Sequence, residues 1–425
     1  MRPETRQSIV LVFGMGATTL LSLLYTSFAA RTLGTVVAAD YFAAVSLVAF
    51  CQIALGPINA TVAKFSADYF ARGEMGRVRA LSRHASRWVA VYGVLLAVPA
   101  LVLIRPLARM LNFASVWPLF IALGMVYVTM LLSVVRGVLR GVQDFGNLNA
   151  NMILEAGVRL GLGVMLLSSW ATAPAGLCAF LAGLIVTVVW AYARLWRTWR
   201  RHPVQDIDIK AIRGFTGPMW ILLFITAGYQ NLDMLAVKYQ FAAEEAGLYG
   251  AVFSIVRWVS AMVTPFNILL LPLLTTLHSQ GRGVSGTFLR ICLYCTLMVA
   301  GPLVLFAMFP ERIVVWLCGP KYAAGGGLLF SLSVARFLGH VSQMIGLAFA
   351  ATNRFRFLYL YFAGLVFEAA TLVVFHDSLT TVVSVVFAAQ GATLLGMIAF
   401  WAFGTRFGRR RQPSSNTAPT GAPAS

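Results

Sequence analysis

Charged residues are scarce in this chain, and acidic ones are scarcest. Asp and Glu number 14 against 33 Lys and Arg, and charged residues make up only 11% of the 425. A soluble globular protein carries about 25% charged and roughly 45–50% apolar residues. Here 59% are apolar, which excludes one large soluble core. Long polar stretches are missing too. Apolar runs of about 20 residues, enough to cross a bilayer, recur along almost the whole chain and leave no room for a sizeable soluble domain. A nucleotide-binding loop is absent: Gly325-Gly326-Gly327 lacks the following Lys-Ser/Thr that would cradle phosphates and is read as a helix opening, so the chain does not itself hydrolyse ATP. There is no Gly-x-Ser-x-Gly element and no metal-ligand cluster, and no cofactor is expected. Cysteines are few and scattered. Cys292 and Cys295 lie three apart, a spacing open to a metal or redox pair, but are read as small packing residues.

What remains is a series of apolar helices with basic loops. Expected spans are 8–29, 41–62, 88–105, 117–135, 150–170, 175–193, 215–237, 248–275, 289–309, 325–350, 357–375 and 380–403, about twelve membrane-crossing helices in an all-α polytopic protein. The N-terminus resembles a signal peptide, with Arg2 and Arg6 before an apolar stretch and Ala29-Ala30 after it. That stretch runs from Ser8 to Phe28, longer than the usual h-region, and is read as an uncleaved first helix. The net charge of +19 lies in short loops, which argues against a nucleic-acid partner. With the N-terminus cytoplasmic, 24 of the Lys and Arg fall inside, six fall outside, and Arg159, Arg257 and Arg336 lie within spans. The positive-inside rule then places both termini in the cytoplasm. The loop 64–87 sets Met75, Val78, Leu81 and Trp88 at helical spacing among Arg72, Arg77, Arg79 and Arg83, which suggests an amphipathic helix on anionic membrane lipids. A solvated basic linker is the alternative.

The chain reads as a duplication. At a shift of 208 residues Tyr41 meets Tyr249, Ala43 meets Ala251, Val48 meets Val256, Pro57 meets Pro265 and Asn59 meets Asn267. At a shift of 213, Leu154-Glu155-Ala156 meets Phe367-Glu368-Ala369. Two halves of six helices enter the membrane in the same direction, as parallel repeats that rock about a site between them. The expected layout is an N-terminal bundle over 1–200, a cytoplasmic linker over 201–214, a C-terminal bundle over 215–404 and a disordered cytoplasmic tail over 405–425, with a central cavity between the bundles.

Ionisable residues at membrane depth are costly, at about 2.5–3.5 kcal/mol each on the lenient insertion scale, and seven are expected there: Glu155, Arg159, Asp233, Arg257, Arg336, His340 and Glu368. Polar stripes accompany them. Arg257, Ser260, Thr264 and Asn267 share one helix face, as do Ser333, Arg336, His340 and Gln343, then Thr226, Gln230 and Asp233, and Gln52, Gly56 and Asn59. Pro265 is expected to act as a hinge beside the first stripe. Glu155 and Arg159, four apart, either neutralise each other or meet a substrate. His340 is either hydrogen-bonded packing or a proton site. Asp233 either caps its helix or pairs with Lys238. Arg257 and Arg336 have no acidic partner nearby in sequence and suit an anionic group such as phosphate, which a guanidinium fork can bind with two hydrogen bonds.

Three stretches resemble the bacterial polysaccharide (O-antigen type) flippases of the multidrug/oligosaccharidyl-lipid/polysaccharide exporter superfamily. They are Arg31-Thr32-Leu33-Gly34 with Asp40-Tyr41, then Val138-Leu139-Arg140-Gly141-Val142-Gln143-Asp144-Phe145, and Asn231-Leu232-Asp233-Met234-Leu235 with Glu244-Glu245-Ala246-Gly247-Leu248-Tyr249. The third is the most specific. In the first, the gap is longer than the family's. The resemblance implies a non-enzymatic flippase of the bacterial inner membrane that moves an oligosaccharide on an undecaprenyl diphosphate carrier for lipopolysaccharide or exopolysaccharide synthesis, beside a polysaccharide polymerase and chain-length machinery. The substrate-binding candidates are Arg257, Arg336, Arg159, Asn59, Asn267, Gln52 and Gln230, and the ion-coupling candidates are Asp233, Glu155, Glu368 and His340. The alternatives are an ion-coupled multidrug exporter of the same superfamily and a membrane glycosyltransferase or polymerase. The second would need a large outer catalytic loop, and the expected outer loops reach at most about a dozen residues.

Overall fold

A computed structural model of the chain describes residues 3–199, 202–280, 283–352 and 354–408, with most side chains between Gly14 and Ala402. Among the described residues there is no strand. The helices are α1 (Pro3–Thr32), α2 (Thr35–Ala54), α3 (Gly56–Ala71), α4 (Met75–Met110), α5 (Trp117–Gly141), α6 (Phe145–Ser169) and α7 (Ala173–Trp199), then α8 (Ile209–Gln240), α9 (Ala243–Ser279), α10 (Ser285–Met308), α11 (Pro310–Cys318), α12 (Gly326–Ala351), α13 (Phe357–Val374) and α14 (Leu379–Gly408). Eleven spans among the described residues are long and apolar enough to cross a membrane, with α2 and α3 forming one of them. The 30-residue α1 makes twelve.

Four local expectations change. The second span breaks at Leu55, where Pro57 enters the first turn of α3 and its missing N–H costs nothing. Its sequence counterpart Pro265 lies in α9, which runs unbroken through it, so the discontinuity falls in the first half rather than at the expected hinge. The loop 64–87 is no separate interfacial helix. Residues up to Ala71 extend α3, and Met75 begins a 36-residue α4. Val78 and Leu81 are fully buried in a cluster with Tyr69 and Leu139, against which Ile207 and Ile212 pack. Arg79 donates to the carbonyl of His202. The amphipathic stripe therefore docks on protein, and Gly76 permits this because a Cβ there would collide with the Pro203 carbonyl. Between the ninth and tenth spans lie two unexpected short pieces, α11 and a 3-10 turn over Pro320–Gly325. They are separated by Gly319 at φ 105°, a conformation open to glycine. Residues 405–408 continue α14, and the rest of the expected tail lies outside the described residues.

The packing repeats in both halves. In the first half α1 packs on α6, α3 on α5, and α7 on α5 and α6; in the second α8 packs on α13, α9 on α12, and α14 on α12 and α13. The halves are two six-span bundles, and residues 202–208 join them as non-helical chain. Contact between them is lopsided. α2 packs closely on both α8 and α9, whereas α1 barely touches α9. A cleft therefore lies between α1 and α9. The outermost helices carry apolar side chains outward, Val91, Leu95, Val98 and Val102 on α4 and Leu289, Leu293 and Leu297 on α10, as lipid contact requires.

Candidate functional site

The cleft holds a cavity of about 250 Å³ bounded by α1, α2, α6, α7 and α9. Two cations face it. Arg159 of α6 donates to Ser22 Oγ, and its guanidinium lies 4.3 Å from the Phe180 ring centroid and 5.3 Å from that of Tyr25, with Nε left without a hydrogen-bond partner among the described residues. Arg257 of α9 is half-buried and lies 6.0 Å from the centre of the Phe253 ring. Among the described residues it makes no ion pair or hydrogen bond with protein. Hydroxyls surround the pair, including Thr18, Ser22, Tyr25, Tyr41, Ser46 and Ser254, and among the described residues no carboxylate lines the space. Thr18, Ser22 and Thr26 donate to carbonyls one turn back on α1, at 2.8–2.9 Å, and so turn acceptor oxygens toward the cavity. Tyr25 is fixed by its hydroxyl, 2.6 Å from the Gly176 carbonyl.

The structure brings Arg159 and Arg257 together from different halves and puts Arg336 elsewhere. Arg336 is buried in the second half, paired with Asp233, which also accepts from the Tyr249 hydroxyl; Arg336 further donates to the Tyr229 carbonyl. Sequence proximity hid this partner because it comes from α8 and Arg336 from α12. Gln230 borders the same pocket, a void of about 10 Å³ with room for about one water. The α9 and α12 stripes largely face each other. His340 Nε2 lies 2.7 Å from Ser260 Oγ, and Asn267 donates to Gln343 Oε1 at 3.3 Å. Glu368 is fully buried, and neither carboxyl oxygen has a hydrogen-bond partner among the described residues.

Other expected pairings are exchanged. Glu155 pairs with Arg136 at 2.6 Å rather than with Arg159. Lys238 pairs at 2.7 Å with Asp40 of α2 rather than with Asp233. Asn59 donates to the Ser133 carbonyl at 2.9 Å and accepts from Arg140 at 2.8 Å. Gln52 reaches Thr129 at 3.3 Å. Sequence reasoning missed the Thr18, Ser22 and Tyr25 wall, although its i, i+4, i+7 spacing on α1 was a readable signal. It also missed the closure beside the α1–α2 turn. There Lys238 donates to the Asn112 carbonyl at 3.0 Å, Lys321 donates to the Arg31 carbonyl at 2.9 Å, and Arg31 donates to the Trp316 carbonyl. Gly247 lets α9 lie against the Thr35 carbonyl, with which a Cβ would collide. The polar ties between the halves concentrate at this end.

No family model matches the chain, and no curated protein matches it by sequence. Solved structures match along nearly its whole length. One is the inward-facing conformation of a multidrug resistance MATE family transporter of the MOP superfamily, with TM-score 0.75 and 12% identity over 95% of this chain and 99% of that one. A second is a MOP superfamily transporter from Pyrococcus furiosus Vc1 (DSM3638), whose binding pocket is described as of reverse polarity and as suggesting a different function; its TM-score is 0.69 at 15% identity, covering 96% of each chain. A third is MATE in the straight conformation, with TM-score 0.69 and 14% identity over 96% of each chain. At such identities the likeness shows the fold: the chain has the twelve-helix, two-bundle architecture of MOP superfamily transporters.

Proposed function

We propose that this protein is an alternating-access transporter for an anionic amphiphile, a flippase that carries lipid-linked oligosaccharide on a diphosphate carrier across the bacterial inner membrane. The observation that carries the reading is the cavity in which Arg159 and Arg257 converge with no carboxylate among the described residues of its walls. Planar guanidinium groups bind phosphate oxygens bidentately, and tyrosine and hydroxyl side chains suit a sugar. A headgroup of several sugars exceeds about 250 Å³, so it enters only as the bundles part, while the lipid tail stays in the bilayer. On the positive-inside orientation the tied end beside the α1–α2 turn is outer and both termini are cytoplasmic. In this reading Arg159 and Arg257 hold the diphosphate, with Asn59 and Gln52 on the first half's polar face. Arg336, Asn267 and Gln230 serve the second half's internal network. Asp233, Glu368 and His340 are the coupling candidates, because an unpaired buried carboxyl such as Glu368 is costly in ionised form.

A second reading is export of cationic drugs. It is favoured by the solved multidrug resistance relative, and its carboxylates would be Asp233 and Glu368. One experiment separates the two. Deletion of the gene should abolish surface glycan and accumulate its lipid-linked precursor; wild-type protein should restore both, and Arg159→Gln/Arg257→Gln should restore neither. Normal glycan together with new sensitivity to ethidium would replace the first reading by the second.

A further inference from the structure

A second group of charges lies in the first half, outside the cavity. On α5, Arg136 and Arg140 stand four residues apart on one face. Arg136 donates to Asn151 Oδ1 at 2.8 Å and pairs with Glu155 at 2.6 Å. Arg140 donates to Asn59 Oδ1 at 2.8 Å, and among the described residues no carboxylate pairs with it. Like charges at this spacing repel. Glu155 offsets one of them and leaves a half-buried excess cation, which attracts an anion more strongly than a charge in bulk water does.

Position gives the group its meaning. α5 and α6 are consecutive helices joined by a short turn over 142–144. Moving from Arg140 to Arg136, and from Glu155 to Arg159, leads away from that turn by about 6 Å in each case. The Arg136–Glu155 pair links the two steps. Arg140, then Arg136 with Glu155, then Arg159 thus form three successive levels, and the last lines the cavity. We infer that Arg140, with Arg136 beside it, is a receiving site for a phosphate- or diphosphate-bearing headgroup on the α5–α6 turn side of the cavity, from which the headgroup passes to Arg159 and Arg257. Glu155 is a positioning residue that holds Arg136. This inference rests on the reading of the cavity as an anion carrier.

The test is calorimetric titration of the purified full-length protein in detergent with farnesyl diphosphate. Arg159→Gln/Arg257→Gln should weaken binding yet retain a residual site. Adding Arg140→Gln should weaken that residual binding by at least about tenfold, the effect of losing one charge-assisted hydrogen bond. Residual binding unchanged by Arg140→Gln, or none left after the cavity arginines are removed, overturns the receiving site while the cavity assignment stands. A wild-type protein that does not bind the probe overturns both. Should Arg140→Gln fail to fold, Arg140→Lys decides: it keeps the charge and loses the fork, so residual affinity should fall a few-fold, and unchanged affinity overturns the site.

Discussion

Arg257 and Arg336 lie near the middle of membrane-spanning helices, and the ring of Phe253 touches both guanidinium groups, at 6.0 and 5.2 Å. Their surroundings are opposite. Arg257 faces an open cavity with no acid among its described lining residues, whereas Arg336 is sealed against Asp233, Tyr249 and the Tyr229 carbonyl. Only the first faces a space larger than a single water. Depth in the membrane therefore does not identify a binding arginine; the deciding quantity is whether neighbouring helices have already supplied its counter-charge.

The comparison breaks most severely at the cavity. On the proposed flippase activity, Arg159→Gln/Arg257→Gln should reduce glycan export at least a hundredfold, measured as surface polysaccharide per cell, while the protein elutes as a single folded species. Export above a tenth of wild type would make the cavity arginines no different from Arg336. The sealed arginine should respond in stability instead. Removing one partner of a buried ion pair costs about 3–5 kcal/mol because the other is left charged and unpaired. Asp233→Asn and Arg336→Met should each lower the thermal unfolding temperature strongly, and the double variant should recover most of the loss. A double variant as unstable as the sum of the two would show that the groups do not act as a pair.

How far this contrast was legible in the sequence depends on the range of the contact. Helix positions followed from apolar runs, and the repeat followed from Pro57 with Pro265 and Glu155 with Glu368, because both signals are local or periodic. Arg257 and Arg159 were found because an arginine at membrane depth is itself anomalous. Their convergence was not legible, since it depends on α6 and α9 meeting across the cleft. For the same reason Glu155 was offered Arg159, its neighbour by one turn, when the fold supplies Arg136 from α5. The Pro-x-Asn repeat misled in a different way. One sequence element breaks the helix at Leu55 and is absorbed in α9, because the environments of the two halves differ although their order of packing is the same.

Two ion pairs sharpen the comparison further: Asp233–Arg336 lies within one half, and Asp40–Lys238 joins the two. If the halves rock, only the second must part in each cycle. Lys238→Met should destabilise the closed arrangement and loosen the tied end, because the buried Asp40 is left charged and unpaired until that end opens and it regains water. A cysteine placed at the fully buried Ala38 should react with maleimide several-fold faster in that background than beside native Lys238. An unchanged rate would mean that the backbone contacts of Arg31 and Lys321 suffice to hold the closure.

The smallest effect separates the same two kinds of contact through glycine. Gly247 lies against a backbone carbonyl of the other half, whereas Gly228 lies against the Leu365 side chain of its own half, with the nearest atom 2.7 Å from where a Cβ would sit. Carbonyls cannot rotate away, and leucine methyls can. Gly247→Ala should therefore drive the tied end apart and raise the reactivity of the Ala38→Cys probe. Gly228→Ala should cost about 1–3 kcal/mol of stability through overpacking and leave that reactivity alone. Equal reactivity in the two alanine variants would show that the α2–α9 contact is not what closes this end, and the closure would then rest on the polar ties of Asp40–Lys238, Arg31 and Lys321.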